Sequence, residues 1–208
     1  LEFRRVLFRS QRIKRMEDLI QAILDYSKAD KRVGDQINVN TTELIRETVD
    51  FIGLPENAQV IIPENMPQMV TDKTRLSQVF SNLIGNGVKY NDKETPVITI
   101  GFEAHENGWT FSVKDNGPGI DPKFHEKVFV IFQTLNRRDD VESTGVGLAI
   151  VKKIVEDEGG KIWIESEPGK GADFKFFWPK VKKVKEAALI AAVMVRSEEH
   201  TSELQSPC

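Results

Sequence analysis

The stretch from residue 76 to residue 90 has the period of an amphipathic helix but carries residues that helices disfavour. Its sequence, LSQVFSNLIGNGVKY, contains two glycines and two asparagines. Each glycine costs a helix interior about 1 kcal/mol relative to alanine. Helical spacing predicts one buried, sheet-facing side, made of Leu76, Val79, Phe80 and Leu83. The polar residues must therefore serve something other than helix stability.

The polar side chains of this helix form one stripe. At roughly 100° per residue, an arc of about 80° holds four of them, Gln78, Asn82, Asn86 and Lys89. Amide oxygens are neutral ligands for a hard cation, and a lysine ammonium is a point charge for phosphate oxygens. A solvated helix face has the same composition. This helix alone therefore leaves both a magnesium–nucleotide site and an ordinary surface open.

Composition and charge exclude several classes of protein. With 208 residues, 39 % of them hydrophobic and 29 % charged, the chain can bury one core, and its net charge of -3 argues against a nucleic-acid binder. No run of about eighteen apolar residues occurs, so we expect no membrane contact from this chain. The only cysteine is Cys208, which fits a reducing compartment. We expect a cytoplasmic domain, whose parent protein could be membrane-anchored.

The two ends of the chain resemble each other at the level of DNA. RSEEH, residues 196–200, can be encoded by AGA TCG GAA GAG CAC, whose reverse complement encodes VLFRS, residues 6–10. The longer RSEEHTSELQS resembles a translated sequencing-library adapter. We therefore expect residues 1–10 and 196–208 to derive from adapters, and we assign nothing to residues 181–195. Native codons continuing past Arg196 in the source DNA would contradict this.

Residues 12–28 predict an amphipathic helix. Its apolar stripe consists of Ile13, Met16, Leu19, Ile20, Ile23 and Leu24. The opposite face is charged, so the stripe needs a partner. Two interpretations remain open. The helix is half of a helical hairpin or dimer, or it packs on its own domain.

The remaining pattern predicts an α+β fold. Strand patterns cover QINVN, QVIIPE, PQMVTD, PVITIGFEA, GWTFSVKD and the hairpin KIWIESEPGKGADFKFFWP, and further helices cover NTTELIRETVDFI and GVGLAIVKKIVEDE. We place His105, Glu106 and Asn107 in a hairpin turn. Hairpins and helices without regular alternation favour a two-layer α/β sandwich, with helices over one face of a mixed sheet and one long helix before it.

Two glycine-bearing segments could complete a phosphate site. In VKDNGPGI, an apparent strand ends at Asp115 and breaks into a turn. In STGVGLAIVKKI, Gly145 and Gly147 precede a helix whose first amides could bind phosphate oxygens. The second segment is not a Walker loop, because no Gly-Lys-Ser or Gly-Lys-Thr ends it. Each segment alone is weak support for a site.

In this order and spacing, the segments resemble the ATP-binding domain of sensor histidine kinases, members of the gyrase, chaperone, kinase and mismatch-repair ATPase superfamily. SQVFSNLIGNGVKY is similar to the asparagine box, DNGPGI to the first glycine box, VFVIFQTL to the phenylalanine box and TGVGLAIVKKIVEDEGG to the second glycine box. The resemblance covers residues 12–179. It implies a Bergerat-type ATP-binding fold over residues 36–180, and residues 11–33 as the second helix of a dimerisation hairpin.

The resemblance implies roles for the polar stripe. Asn86 would coordinate Mg²⁺, Asn82 would support that ligand shell and Lys89 would contact phosphate. Gln78 would take part in phosphoryl transfer, together with Asn82 and Lys89, by orienting the acceptor. The family usually has alanine where Gly87 stands, which puts helix stability and nucleotide affinity in doubt.

At the other end of the site, the resemblance implies contacts to the base and to the backbone of the nucleotide. Tyr90 would flank the base, and Asp115 would accept a hydrogen bond from the adenine amino group. The other implied nucleotide contacts are Gly117, Gly119, Ile120, Thr144, Gly145, Val146, Gly147 and Leu148.

Residues 129–144 would form a mobile lid over ATP. Phe129 and Phe132 would anchor it, and Arg137 or Arg138 would reach a phosphate. Plain core packing is the alternative for both phenylalanines.

The function implied is the catalytic part of a sensor histidine kinase. The γ-phosphoryl of Mg-ATP would pass to a histidine and then to an aspartate of a response regulator, and the intact protein would form a homodimer through its hairpin. The resemblance places the phosphoacceptor histidine on the first helix of the hairpin, which we expect to be missing from this chain. His105 and His125 both fall where surface residues are expected, so we expect no phosphoacceptor here. The chain should therefore bind ATP without autophosphorylating. A chaperone- or topoisomerase-like ATPase and a non-catalytic interaction module are the alternatives.

Overall fold

The computed structural model describes residues 35–133 and 144–180, with six further residues near the amino terminus. Those six are helical and exposed, and they belong to the helix predicted over residues 12–28: Met16, Glu17, Ile20, Gln21, Ile23 and Leu24. The remainder of that helix, both predicted adapter segments and residues 181–195 lie outside the described residues. Of the described helices, none is long and apolar enough to span a bilayer.

From residue 35 to residue 180, the described residues form seven strands, three α-helices and two short 3-10 turns. In chain order they are β1 (Gln36–Asn40), α1 (Thr41–Ile52), β2 (Gln59–Ile61), β3 (Gln68–Asp72), α2 (Lys73–Lys89), β4 (Val97–His105), β5 (Gly108–Asp115), the turns Pro122–Phe124 and Lys127–Phe129, α3 (Gly147–Asp157), β6 (Lys161–Ser166) and β7 (Ala172–Pro179).

Side chains determine where the first two helices begin. Asn40 caps α1, and Asp72 caps α2 by accepting a hydrogen bond from the Arg75 N–H at 3.1 Å. Such caps satisfy amides that have no partner within the helix. α3 differs, because it begins after Val146 without a side-chain cap.

The strands form one mixed sheet and one separate pair. The five-stranded sheet has the order β2-β4-β5-β7-β6, in which β2 runs parallel to β4 and the other neighbours are antiparallel. β1 and β3 pair antiparallel beside it. The predicted α+β class with a mixed sheet is confirmed.

The core lies between the helices and one face of the five-stranded sheet. The Phe80 ring of α2 packs edge-on against Phe111 of β5 and Phe176 of β7, with centroids 5.6 and 5.5 Å apart. The side of α2 predicted to face the sheet is buried at every position: Leu76, Val79, Phe80 and Leu83. The predicted two-layer sandwich is therefore confirmed.

The β4–β5 hairpin differs from the prediction in its turn. His105 is the last residue of β4 and pairs with Gly108, so the connection is only the two residues between them. The His105 ring lies 2.8 Å, Nε2 to Oγ1, from Thr110 on the next strand. The prediction placed His105 in the turn because polar residues follow Ala104. A two-residue loop, however, lets strand pairing continue through it.

Candidate functional site

A cavity of about 290 Å³ lies where the carboxyl-terminal half of α2, the end of β5 and the start of α3 meet. Its size suits a small-molecule ligand. Separate segments of the chain line it: Asn82, Asn86, Gly87, Lys89, Tyr90, Asp115, Pro118, Gly119, Ile120, Val128, Gln133, Thr144, Gly145, Gly147, Leu148, Ala172 and Phe174.

Most residues predicted for the site line this cavity, and the motifs therefore meet in space. Of the described residues predicted for the site, five do not line it: Gln78, Gly117, Phe129, Phe132 and Val146. Arg137 and Arg138 lie outside the described residues.

The polar stripe of α2 meets the start of α3 at Asn82. Its Nδ2 donates a hydrogen bond to the Gln78 carbonyl at 2.9 Å, which fixes the amide and leaves Oδ1 on the side of α3. A Cβ atom added to Gly147 would lie 2.7 Å from that oxygen. Glycine at this position therefore lets the Asn82 amide lie directly against the start of α3.

The first amides of α3 are available to a ligand. Val146, the residue before the helix, is 1 % exposed, so its side chain anchors the helix start in the core rather than capping it. Gly147 and Leu148 follow it and line the cavity. Uncapped amides and the positive end of the helix dipole together favour an anion.

Asp115 contributes a carboxylate to the same cavity. Its Oδ1 accepts hydrogen bonds from the Gly117 N–H at 2.8 Å and the Ala172 N–H at 3.2 Å. Its Oδ2 has no hydrogen-bond partner within the part of the chain that the structure describes. The side chain is thus held in place through one oxygen, and the other can accept a hydrogen bond from a ligand.

The surroundings of Asp115 destabilise the ionised form of its carboxyl group. Burial raises the pKa of this carboxyl, and the two backbone hydrogen bonds from Gly117 and Ala172 oppose that rise only in part. The carboxylates of Asp173 and Asp92 raise the pKa further. A ligand that donates a hydrogen bond to Asp115 would relieve part of this cost.

The loop after Asp115 is held by the β6–β7 hairpin. Gly119 has φ +71°, and a Cβ there would collide with the Glu167 carbonyl. The Ile120 N–H donates a hydrogen bond to Ser166 Oγ at 2.8 Å, and that hydroxyl donates to the Gly171 carbonyl at 2.7 Å. The backbone at residues 117–120 is therefore fixed by a strand pair far along the chain.

Residues 71–182 match the family described as Histidine kinase-, DNA gyrase B-, and HSP90-like ATPase. The chain belongs to this family. It is 42 % identical over 166 residues to Phytochrome-like protein Cph1 from Synechocystis sp., covering 79 % of this chain and 22 % of that protein. It is 33 % identical to the Methanogenesis regulatory histidine kinase FilI from Methanothrix harundinacea, covering 80 % of this chain and 19 % of FilI. The chain thus spans about a fifth of each of these relatives.

The same family appears among solved structures. The crystal structure of histidine kinase ThkA in complex with response regulator protein TrrA matches with a TM-score of 0.63 at 30 % identity, covering 85 % of this chain and 50 % of the matched one. The histidine kinase type of ATPase domain, predicted from four motifs, is confirmed.

The phenylalanine box of this ATPase domain divides into a buried and an exposed half. Phe129 is 9 % exposed, and its ring packs edge-on against Phe174 at 6.4 Å. Phe132 is 52 % exposed, has φ +65° and donates its N–H to the Gly145 carbonyl at 2.9 Å. Phe129 thus belongs to the core, whereas Phe132 joins the two sides of the segment predicted as a lid.

Sequence reasoning missed several residues that line the cavity. Ala172 and Phe174 belong to β7, which pairs with β5 next to Asp115. The hairpin that contains them was predicted, but which strand it joins was not. Pro118 and Val128 lie inside recognised motifs, so adjacency to Gly117 and Phe129 was a usable signal for both.

Proposed function

We propose that residues 36–180 bind Mg-ATP as the catalytic domain of a sensor histidine kinase. The observation that carries the proposal is the cavity itself. It brings a fixed carboxylate, Asp115, together with amide, ammonium and open backbone N–H groups. In the protein to which this domain belongs, the γ-phosphoryl would pass to a histidine and then to an aspartate of a response regulator.

The Asp115 carboxylate suits adenine. Asp115 Oδ2 would accept a hydrogen bond from the exocyclic amino group, which adenine has and guanine lacks at that position. Guanine would present a carbonyl oxygen to a carboxylate, leaving two buried acceptors facing each other. Tyr90, which also lines the cavity, would flank the base.

The amide, ammonium and backbone N–H groups of the cavity suit a triphosphate with its metal ion. The amides of Gly147 and Leu148 and the Lys89 ammonium would contact phosphate oxygens. Among the described residues no group of three or more His, Cys, Asp or Glu side chains could hold a metal ion. Mg²⁺ bound here would therefore take the Asn86 amide oxygen, phosphate oxygens and water, which suits this ion. Its contribution would be to neutralise charge on the transferred phosphoryl group.

Phosphoryl transfer depends mainly on positioning, so residues that orient groups are proposed to matter most. Asn82 is held by the Gln78 carbonyl and in turn faces Gly147. That support comes from the backbone of residue 78, and we assign the Gln78 side chain to orienting the acceptor. The roles of Arg137 and Arg138 at phosphate remain predictions.

The proposed partners are a second copy and a response regulator. Residues 11–33 would supply a helix of the dimerisation hairpin, and its described apolar side chains are exposed: Met16, Ile20, Ile23 and Leu24. The related kinase ThkA was solved with the response regulator protein TrrA. Neither His105 nor His125 is proposed as a phosphoacceptor, so the chain alone should not autophosphorylate.

Calorimetry of Mg-ATP binding to the full chain tests the proposal. We expect Asp115→Asn to weaken binding by roughly 2 kcal/mol, because a charge-assisted hydrogen bond is lost. Asn86→Ala should chiefly reduce the dependence of affinity on Mg²⁺. The matched control is Asn57→Ala, because Asn57 donates only to the Glu94 carbonyl outside the cavity. A folded parent that binds no ATP would overturn the proposal, and steady ATP hydrolysis without a histidine acceptor would favour a chaperone-like ATPase.

A further inference from the structure

Three charged side chains are buried together away from the cavity. Asp72, Arg75 and Glu158 are 2, 6 and 4 % exposed. Arg75 Nη1 donates a hydrogen bond to Glu158 Oε1 at 2.9 Å, and Arg75 Nε lies 3.9 Å from Asp72 Oδ2. Buried charges cost several kcal/mol of desolvation each, so this cluster is unlike the exposed ion pairs of the same domain.

Arg75 and Glu158 each carry a charge that the dipole of their own helix disfavours. Arg75 is in the first turn of α2, where the helix dipole disfavours a cation, and Glu158 caps the carboxyl end of α3, where it disfavours an anion. The pairing places Arg75 at the carboxyl end of α3 and Glu158 at the amino end of α2. Each charge thus gains a favourable helix-dipole interaction from the other helix, and it has that interaction only while the two helices hold this mutual position.

The same two helices meet again at the cavity. Asn82 lies seven residues beyond Arg75, about 10 Å along α2, and Gly147 lies about 16 Å from Glu158 along α3. There Asn82 Oδ1 and the backbone of Gly147 approach so closely that a Cβ on Gly147 would clash. The helices therefore pack antiparallel, with a charge pair at one end and a close polar contact at the ligand-binding end.

Between these two ends, both helices contribute buried apolar side chains to the same core, among them Leu83 of α2 and Ile154 of α3. Apolar surfaces attract each other without fixing the register of one helix along the other, whereas a buried charge pair has one geometry. We infer that Arg75 and Glu158 are positioning residues, which hold the amino terminus of α3 in register with Asn82 and Asn86. The inference rests on the proposed nucleotide site.

The test removes the buried Arg75–Glu158 pair. Its control removes an exposed ion pair of α3. Arg75→Met/Glu158→Gln in the full chain is set against Lys152→Met/Glu156→Gln, which removes an exposed pair of α3 whose charged atoms are 3.8 Å apart. We expect the first variant to bind Mg-ATP about fivefold more weakly, because residues without ligand contact alter binding by such factors. The Gly147 amide resonance should also move in its nucleotide-free spectrum. The control should change neither quantity.

Two further variants keep the inference falsifiable if the first fails to fold. Glu158→Gln alone should shift affinity and the Gly147 resonance in the same direction by less, and Arg75→Lys, which keeps the charge, should restore most of the affinity. Folded variants with parental affinity and an unmoved Gly147 resonance would overturn the inference. If the parent chain binds no ATP but the Gly147 resonance still moves in the variant, the proposed function is wrong. The role of the pair in holding α3 in register with α2 would then still be supported.

Discussion

Asp72 and Asp115 occupy matching places in the fold and behave in opposite ways. Each is the last residue of its strand, β3 or β5, and each accepts hydrogen bonds from nearby backbone amides. Asp72 has the Arg75 guanidinium beside it. Burial instead raises the pKa of Asp115, and the nearby carboxylates of Asp173 and Asp92 raise it further.

The difference separates a structural carboxylate, Asp72, from one that we propose to be functional, Asp115. Asp72 is compensated within the folded protein, so its charge stabilises the start of α2. Asp115 carries a charge that the folded protein compensates only in part, and the remainder is available to a ligand. Strained or uncompensated groups of this kind are common at binding sites.

Removing the Asp72 carboxylate, which has Arg75 beside it, should have the largest effect on the free energy of unfolding. We expect Asp72→Ala to lower the free energy of unfolding by about 3 kcal/mol, because it removes a helix cap and leaves Arg75 buried with one partner fewer. Urea denaturation measures this. Asp72→Asn is the matched control, since its oxygen can still cap α2. A loss below about 1 kcal/mol, the usual value of a cap alone, would mean that Asp72 and Arg75 do not interact appreciably.

Removing the uncompensated carboxylate should have the opposite sign. We expect Asp115→Asn to raise the free energy of unfolding at pH 7 while weakening Mg-ATP binding, because the amide keeps the Oδ1 contacts and loses the buried charge. Thermal unfolding with and without ATP measures both effects. A variant less stable than its parent at pH 7 would show that Asp115 is structural after all.

The pH dependence gives an independent measurement of the same difference. The folded state raises the pKa of Asp115 above its ordinary value of 3.8, so the folded protein binds this proton more tightly than the unfolded chain does. The stability contributed by the carboxyl is therefore present below about pH 4 and is lost as pH rises through the folded pKa. The stability advantage of Asp115→Asn should vanish at the acidic end of a pH series and reappear toward neutrality.

The glycines of α2 should give the smallest effects. A Cβ on Gly85 would meet nothing within 4 Å, whereas one on Gly87 would lie 2.6 Å from Ile98 Cδ1. We expect Gly85→Ala to stabilise the protein by about 1 kcal/mol in urea denaturation, and Gly87→Ala to gain less, because buried Ile98 must move. Equal gains would show that close packing against β4 does not require Gly87.

Local chemistry explains what the sequence could predict. The buried face of α2 follows from helical spacing, and the caps of α1 and α2 follow from Asn40 and Asp72 preceding helical patterns. The assignment of chemistry to the cavity residues needed more, namely the resemblance of four motifs to one family. Position along the helix predicted that Asn82 and Asn86 share a face, but not that Asp115 lies near them.

Contacts between distant segments could not be predicted in this way. Arg75 and Glu158 are 83 positions apart, and neither is recognisable as a buried charge from its neighbours. Ala172 reaches Asp115 across 57 positions because β7 lies next to β5. Strand order depends on how the whole sheet assembles, which no single segment encodes.

The position of β7 has a consequence for synthesis. It comes last among the described strands, yet it lies between β5 and β6 and is the neighbour that links β6 to the sheet. Its first residue, Ala172, also donates one of the two hydrogen bonds that orient Asp115. A ribosome making this chain from the amino terminus therefore releases this interior strand after the strands on both sides of it. The nascent chain cannot orient the Asp115 carboxylate fully until nearly the whole domain has emerged, so under the proposed function a partly made domain should not sequester ATP.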